Sequence, residues 1–152
     1  MGQGDVVEIL VVGDAPRYAH PGDAGMDLVA TEGVELGPLQ RALVATGVSI
    51  ALPPGYVGWV TPRSGLAIRH GISMVNAPGI IDAGYRGEIK VVLWNTDGSQ
   101  AFVVNPGDRI AQLVVTPHST AQMIPLDSLP GSHRGEGGFG STGLSHLPGD
   151  QQ

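Results

Sequence analysis

The sequence predicts an all-β protein: a barrel or sandwich with one short helix and a flexible glycine-rich C-terminal arm. Apolar residues alternate over several short segments, as in half-buried strands. The chain has 24 glycines and 12 prolines, which fall between these segments and form no short repeat. Many turns between short strands are typical of a sandwich or barrel. Because composition changes beyond Pro130, we assign residues 1–130 to the β domain and 131–152 to the arm.

Composition excludes several classes of function. Hydrophobic residues make up 41% of the chain, enough for one domain with its own core. The absence of cysteine excludes disulfides, thiolate metal sites and a cysteine nucleophile. Asp5 and Glu8 interrupt the first apolar segment and no membrane-length run follows, so we expect a soluble cytoplasmic protein without a membrane partner. The net charge of −6 argues against a nucleic-acid partner.

The few positive charges are almost all arginine. The guanidinium fork suits phosphate oxygens or carboxylates, which is compatible with a small phosphorylated ligand. A bias toward arginine codons explains the composition equally well, so position has to decide. The seven arginines are Arg17, Arg41, Arg63, Arg69, Arg86, Arg109 and Arg134, beside the single Lys90.

The first elements are two strands. Residues 6–12 have the pattern of a buried strand that ends at Gly13. Residues 21–30 form a turn cluster that runs into a short strand containing Asp27. Its carboxylate, flanked by Met26 and Leu28, is expected either to pair with an arginine or to lie near a metal ion.

Two further strands, residues 41–52 and 56–60, lead into the one segment with helical signals, residues 61–71. Ser64 is a good N-cap and Gly71 a natural stop. Free N–H groups at the helix start, reinforced by Arg63, predict a phosphate site. The alternative is a capped helix with a surface arginine.

Residues 76–95 carry the strongest chemical signal. Ile89, Val91 and Leu93 share one face of a strand over residues 88–95, whereas proline and glycines mark residues 76–87 as a loop. Asp82 and Tyr85 in this loop suit a general base beside a flat substrate. The alternative is that Asp82 starts a turn and Tyr85 covers a core edge.

The C-terminal third contains two strands, residues 101–104 and 108–116, and then the arm. Arg109 shares a face with Ala111, opposite Ile110, so this arginine needs a carboxylate partner. In the arm, residues 134–143 combine glycines with an arginine, an aromatic residue and two hydroxyls. These residue types suit a mobile lid that stacks on a ring and binds phosphate. Residues 144–152 have the composition of a disordered remainder.

Five segments, residues 24–30, 62–71, 79–95, 109–115 and 134–143, resemble in order the five motifs of the trimeric deoxyuridine triphosphatases. The resemblance covers nearly the whole chain. It implies a jelly roll with one short helix, assembled as a homotrimer with three sites between subunits. It also implies Mg²⁺-dependent hydrolysis of dUTP to dUMP and pyrophosphate, which keeps uracil out of DNA and supplies dUMP for thymidylate synthesis.

The resemblance also implies roles for individual residues. Asp82 matches the acid that activates water, Asp27 the acid that approaches the metal through water, and Arg109 a residue that orients a carboxylate. Those that match uracil or deoxyribose contacts are Asn76, Gly79, Ile80, Ile81, Tyr85 and Phe139. Those that match phosphate contacts are Arg63, Ser64, Gly65, Lys90, Gln112, Arg134, Gly140, Ser141 and Thr142.

Two other functions fit a fold of this kind. Deoxycytidine triphosphate deaminase resembles it in motif order, but a glutamate base is expected where this chain has Asp82 within Ile-Asp-Ala-Gly-Tyr-Arg-Gly. A non-catalytic nucleotide-binding module is the other alternative, and the presence of Asp82, Arg134 and Phe139 together argues against it. Met26 and Phe139 depart from the family pattern without removing a chemical role, and the connection before Arg134 is short.

Overall fold

The computed structural model describes residues 6–138. The chain divides into two units, Met1–Thr120 and Ala121–Gln152. This division precedes the boundary predicted after residue 130, and the assignment of 131–152 as an arm stays a prediction. In the described part of the second unit, Arg134 Nε donates a hydrogen bond to the carbonyl of Gly137 at 2.6 Å. Phe139, Gly140, Ser141, Thr142 and residues 144–152 lie outside the described residues.

The first unit contains all the regular elements of the described chain. Strands dominate, as predicted, and one short helix interrupts them. In chain order the elements are β1 (Leu10–Val12), β2 (Arg17–Tyr18), β3 (Gly25–Val29), β4 (Val34–Leu36), β5 (Arg41–Ala51), β6 (Tyr56–Thr61), α1 (Ser64–His70), β7 (Ile72–Met74), β8 (Gly79–Ile81), β9 (Glu88–Asn95), β10 (Phe102–Val104) and β11 (Arg109–Pro117).

The strands form three sheets. A four-stranded sheet has the order β1-β5-β9-β7, a five-stranded sheet the order β2-β3-β11-β6-β8, and β10 pairs with β4. Every recorded pairing is antiparallel. No helix of the described chain is long and apolar enough to cross a membrane.

The core lies against the inner faces of β5 and β9, where the predicted alternation is confirmed. Val44, Val48 and Ile50 of β5 are buried, as are Ile89, Val91 and Leu93 of β9. A strand whose side chains alternate between core and solvent can keep only one register, since a slip of one residue would expose the apolar set. These two strands therefore fix the position of the loop that precedes β9.

A bulge interrupts the pairing of β5 with β9 between Ala45 and Ser49. Gly47 lies there with φ +68°, a left-handed conformation that favours glycine. The Gly47 N–H donates to the Glu88 carboxylate at 2.8 Å, and the buried Thr46 hydroxyl donates to the Ile89 carbonyl at 2.5 Å. Side chains thus satisfy polar groups that a regular ladder would have paired.

Three strand predictions need correction. The buried strand predicted for residues 6–12 is wrong, because β1 covers only Leu10–Val12 and is an exposed edge strand paired with β5 alone. The predicted phase of β11 is wrong at its start, because a bulge between Arg109 and Ala111 buries Ile110 together with Ala111, although Ala111 and Leu113 share the buried face as predicted. Part of the predicted loop, Gly79–Ile81, is β8, which pairs with β6.

The N-cap of the helix lies one residue earlier than predicted. Arg63 occupies the N-cap without a side-chain capping hydrogen bond, and Ser64 is the first helical residue. The prediction of Ser64 as the cap is therefore wrong. Gly71 ends the helix with φ 63° and donates its N–H to the Ala67 carbonyl, which confirms the predicted stop.

Candidate active site

A cleft of about 600 Å³ lies beside the predicted catalytic loop. It brings together seven residues predicted to bind substrate or activate water: Asn76, Gly79, Ile80, Ile81, Asp82, Tyr85 and Lys90. Leu43, Met74 and Glu88 also line it and were not predicted. Leu43 is the one with a sequence signal, because it is a large apolar residue on the otherwise small or polar outer face of β5.

One wall of the cleft is β8, the last strand of its sheet. Gly79 lies opposite Val60 and Ile81 opposite Gly58 in the pairing with β6. The other edge of β8 has no strand partner among residues 6–138. Such an edge presents backbone donors and acceptors, which can bind the polar rim of a flat ring.

Asp82 follows β8 directly and is exposed. The Tyr85 N–H donates to the Asp82 carbonyl at 3.0 Å, so Asp82 does start a turn. Arg86 Nη1 donates to the carbonyls of Ala83 at 2.6 Å and Tyr85 at 2.9 Å, which tightens the same turn. Within the described chain, no hydrogen bond or ion pair engages the Asp82 carboxylate. Asp82 can therefore both start a turn, which uses its backbone carbonyl, and act as a general base, which uses its carboxylate.

Tyr85 and Lys90 are both held by Glu88. The Tyr85 hydroxyl donates to the Glu88 carbonyl at 2.9 Å, and Lys90 Nζ lies 3.5 Å from the Glu88 carboxylate. The Lys90 side chain is 45% exposed, so this ion pair is weak and leaves the ammonium free to contact a ligand.

A second cluster surrounds Asp27. Its Oδ1 lies 3.3 Å from Arg63 Nε and its Oδ2 lies 3.3 Å from Arg109 Nη1. The ion pair, one of the two alternatives for Asp27, is therefore present, and Asp27 is the carboxylate partner expected for Arg109. Arg63 Nη1 also donates to the Arg109 carbonyl at 3.1 Å. Arg63 Nε, although close to Asp27, is buried without an acceptor in hydrogen-bonding geometry.

Gln112 belongs to the same cluster. It is the cross-strand neighbour of Asp27 on β3 and of Thr61 on β6. Gly25 leaves room for it, since a side chain at Gly25 would collide with the Gln112 amide. The cluster therefore combines Asp27, Arg63, Arg109 and Gln112 at one end of the five-stranded sheet.

Four of the residues predicted to contact phosphate do not line the cleft that contains Asp82. They are Arg63, Ser64, Gly65 and Gln112. Within one chain these four predicted phosphate contacts thus lie apart from the predicted base contacts, whereas Lys90, also predicted to contact phosphate, lines the cleft. Residues 6–138 contain no group of three or more acidic or histidine side chains that could hold a metal ion by themselves.

The family model described as dUTPase matches residues 12–143. The chain belongs to the dUTPase family. It is 58% identical over 142 residues to the deoxyuridine 5'-triphosphate nucleotidohydrolase of Leifsonia xyli subsp. xyli, with 93% of each chain covered. It is 56% identical over 144 residues to that of Cutibacterium acnes, with 94% of this chain and 95% of the relative covered. The family resemblance and the enzyme class predicted from the sequence are confirmed.

Solved dUTPase structures share the fold. The dUTPase of Staphylococcus bacteriophage 80alpha with dUPNHPP is 29% identical, with a TM-score of 0.83, and the match covers 90% of this chain and 99% of that one. A dUTPase of phage phi11 of S. aureus, described with the coordination of a structural Mg(II) ion, is 26% identical. Its TM-score is 0.74, and the match covers 80% of this chain and 97% of that one. The predicted jelly-roll-like fold is confirmed.

Proposed function

We propose that this dUTPase hydrolyses dUTP to dUMP and pyrophosphate with a water molecule activated by Asp82. The observation that carries the mechanism is that, within residues 6–138, the Asp82 carboxylate has no partner and lies at a cleft whose wall is the unpaired edge of β8. An ionised carboxylate can accept a proton from water as the water attacks phosphorus. Its turn, closed by the Tyr85 N–H and by Arg86, holds the base in place without using the carboxylate.

The cleft binds the nucleoside. Asn76 and the backbone of Gly79, Ile80 and Ile81 contact uracil, and Tyr85 packs on the deoxyribose. Uracil and cytosine differ at N3 and at the 4-substituent, where donor and acceptor are exchanged. Backbone groups that pair with uracil leave polar groups of cytosine unpaired. The free energy lost at a buried unpaired group exceeds the free energy that one formed hydrogen bond contributes.

The phosphates bind at the Asp27 cluster and at Lys90. Phosphoryl transfer depends on placement and charge neutralisation, which arginines and amide donors supply. The contacts come from Arg63, Ser64, Gly65, Gln112 and Lys90, and from Arg134, Gly140, Ser141 and Thr142 of the closing arm, where Phe139 stacks over uracil. Arg109, which lies 3.3 Å from Asp27, orients that carboxylate and does not contact the substrate.

Mg²⁺ is the proposed cofactor. Mg²⁺ in nucleotide enzymes is held by one or two carboxylates, by waters and by the substrate phosphates. Asp27 fits such a site only through water, because each of its oxygens is already paired with an arginine and keeps lone pairs for the hydrogen of a metal-bound water. When bound, the ion neutralises negative charge on the phosphates. The phage phi11 relative, which is described with a structural Mg(II) ion, supports Mg²⁺ as the metal and not a particular site for it.

The functional unit is a homotrimer with sites between subunits. The separation of the cleft from the phosphate cluster within one chain supports this arrangement. The outer face of the β5–β9 sheet supports it as well, since Leu43 is 58% and Trp94 40% exposed there. We expect light scattering at working concentration to yield three times the chain mass, and a monomeric mass would contradict the proposal. The cytoplasmic location and the absence of nucleic-acid and membrane partners stay predictions.

A substrate panel tests the activity. Pyrophosphate release is measured with the triphosphates of deoxyuridine, deoxythymidine, deoxycytidine and uridine, first with Mg²⁺ and then with a chelator. We expect rapid release from dUTP alone, and its loss with the chelator. Release from several nucleotides would contradict the roles of the β8 edge and Tyr85. Ammonia release from dCTP would instead indicate a deaminase, and binding without turnover a non-catalytic module.

A further inference from the structure

We propose that Gly87 determines sugar specificity, because its lack of a side chain makes the room in which the ring of Tyr85 lies. The proposal rests on the proposed function, in which Tyr85 packs on the deoxyribose. Gly87 lies two residues after Tyr85 and directly before β9. It has no contact with the base or the phosphates in that assignment, and it acts only through the tyrosine.

The space at Gly87 is already filled by the ring. A Cβ built there would overlap the Tyr85 hydroxyl, and would lie 2.6 Å from Cζ and 3.0 Å from Cε2. Carbon atoms in contact lie about 3.5–4.0 Å apart, so any side chain at position 87 has to move the ring or the loop. The backbone of Gly87 is therefore the surface on which the ring rests.

A hydrogen bond fixes the hydroxyl end of the Tyr85 side chain. The Tyr85 hydroxyl donates to the Glu88 carbonyl at 2.9 Å. Glu88 is itself anchored, since its carboxylate accepts the Gly47 N–H of the β5 bulge at 2.8 Å. The acceptor thus belongs to a strand end that is tied to the core sheet, and the ring can tilt only if this bond breaks.

A fixed ring discriminates by excluding volume. Tyr85 lines the cleft and is 44% exposed, so one part of the ring contacts Gly87 while another faces the bound sugar. The Tyr85 ring rejects a 2′-hydroxyl only while it is held in one position against the sugar. A methyl group at position 87 forces the ring off Gly87 and breaks its hydrogen bond, so the ring no longer holds one position against the sugar and discrimination falls, while Asp82 keeps its own turn.

The experiment compares alanine at two glycines of the same loop in the full chain. Gly87→Ala introduces the overlap, whereas Gly84→Ala meets no atom within 4 Å and is the matched control. The readout is the ratio of kcat/KM for dUTP to kcat/KM for UTP. We expect Gly87→Ala to lower this ratio by roughly tenfold or more. Gly84→Ala should leave it unchanged.

A double variant shows whether the effect passes through the tyrosine. In a Tyr85→Ala background, Gly87→Ala should lower the ratio no further, since the two residues act as one unit. An additional fall there would overturn the proposal. If Gly87→Ala alone fails to fold, the double variant, which lacks the overlapping ring, should fold, and its failure to fold would also overturn the proposal.

The outcomes separate this inference from the proposed function. An unaltered chain that does not hydrolyse dUTP, or that hydrolyses UTP equally well, contradicts the function itself. An unaltered chain that prefers dUTP, together with a Gly87→Ala variant of the same preference, contradicts the role of Gly87 alone.

Discussion

Asp82→Asn should lower kcat for dUTP by roughly 10²- to 10⁴-fold, the range that a positioned general base contributes. The amide keeps the shape of the side chain and the backbone turn to Tyr85, but it cannot accept a proton at neutral pH. Because the carboxylate has no partner among residues 6–138, the substitution leaves no other described group unpaired. Pyrophosphate release under single-turnover conditions measures the chemical step directly.

Nucleotide binding separates loss of the base from loss of the site. Titration of the variant with a non-hydrolysable dUTP analogue should yield an affinity close to that of the unaltered chain. Asp127→Asn is the matched control, since it makes the same chemical change at an exposed carboxylate that lines neither this cleft nor the pocket beside Asp27. Unchanged turnover in Asp82→Asn would remove Asp82 from the role of base. An equal fall in the Asp127→Asn variant would indicate a general effect of charge.

The parts of the fold predicted from sequence are those that a local pattern determines. Val44, Thr46, Val48 and Ile50 lie at every second position of β5, and a half-buried strand is the structure that uses such a repeat. Gly71 ends the helix because left-handed backbone suits glycine, whatever packs around it. Asp82 and Tyr85 were identifiable since they are the acid and the aromatic in a glycine-rich loop.

The parts that were not predicted depend on distant contacts. The bulge that buries Ile110 adds a residue to one strand only, and apolar periodicity does not reveal it. Glycine and proline signals dominate residues 76–87, whereas the pairing of Gly79 with Val60 that makes β8 a strand joins residues far apart in sequence. The hydrogen bond from the Tyr85 hydroxyl to Glu88 uses a backbone carbonyl. Every residue type supplies such a carbonyl, so the sequence does not reveal the bond.

The same limitation hides Asn95, whose side chain organises the end of β9. It is fully buried, and its Nδ2 donates to the carbonyls of Leu36 at 3.1 Å, Gly37 at 3.2 Å and Gln100 at 2.8 Å. Its Oδ1 accepts the Asp97 N–H at 3.0 Å. One amide therefore ties β9 to the end of β4 and to the turn after β9. That turn is further ordered by Asp97, whose pKa is lowered by hydrogen bonds from Ser99 and Gln100.

Asn95→Asp should destabilise the fold by about 3–5 kcal/mol, which is large against a typical domain stability of about 5–15 kcal/mol. A carboxylate of the same shape cannot donate to the three carbonyls, and it places a buried negative charge against their oxygen atoms. Denaturant unfolding at matched protein concentration measures the loss as a lower midpoint. Asn105→Asp makes the same change at an exposed position and should shift the midpoint little. An Asn95→Asp protein as stable as the unaltered chain would mean that these three carbonyls find other donors, and the amide would then not be what joins β9 to its neighbouring turns.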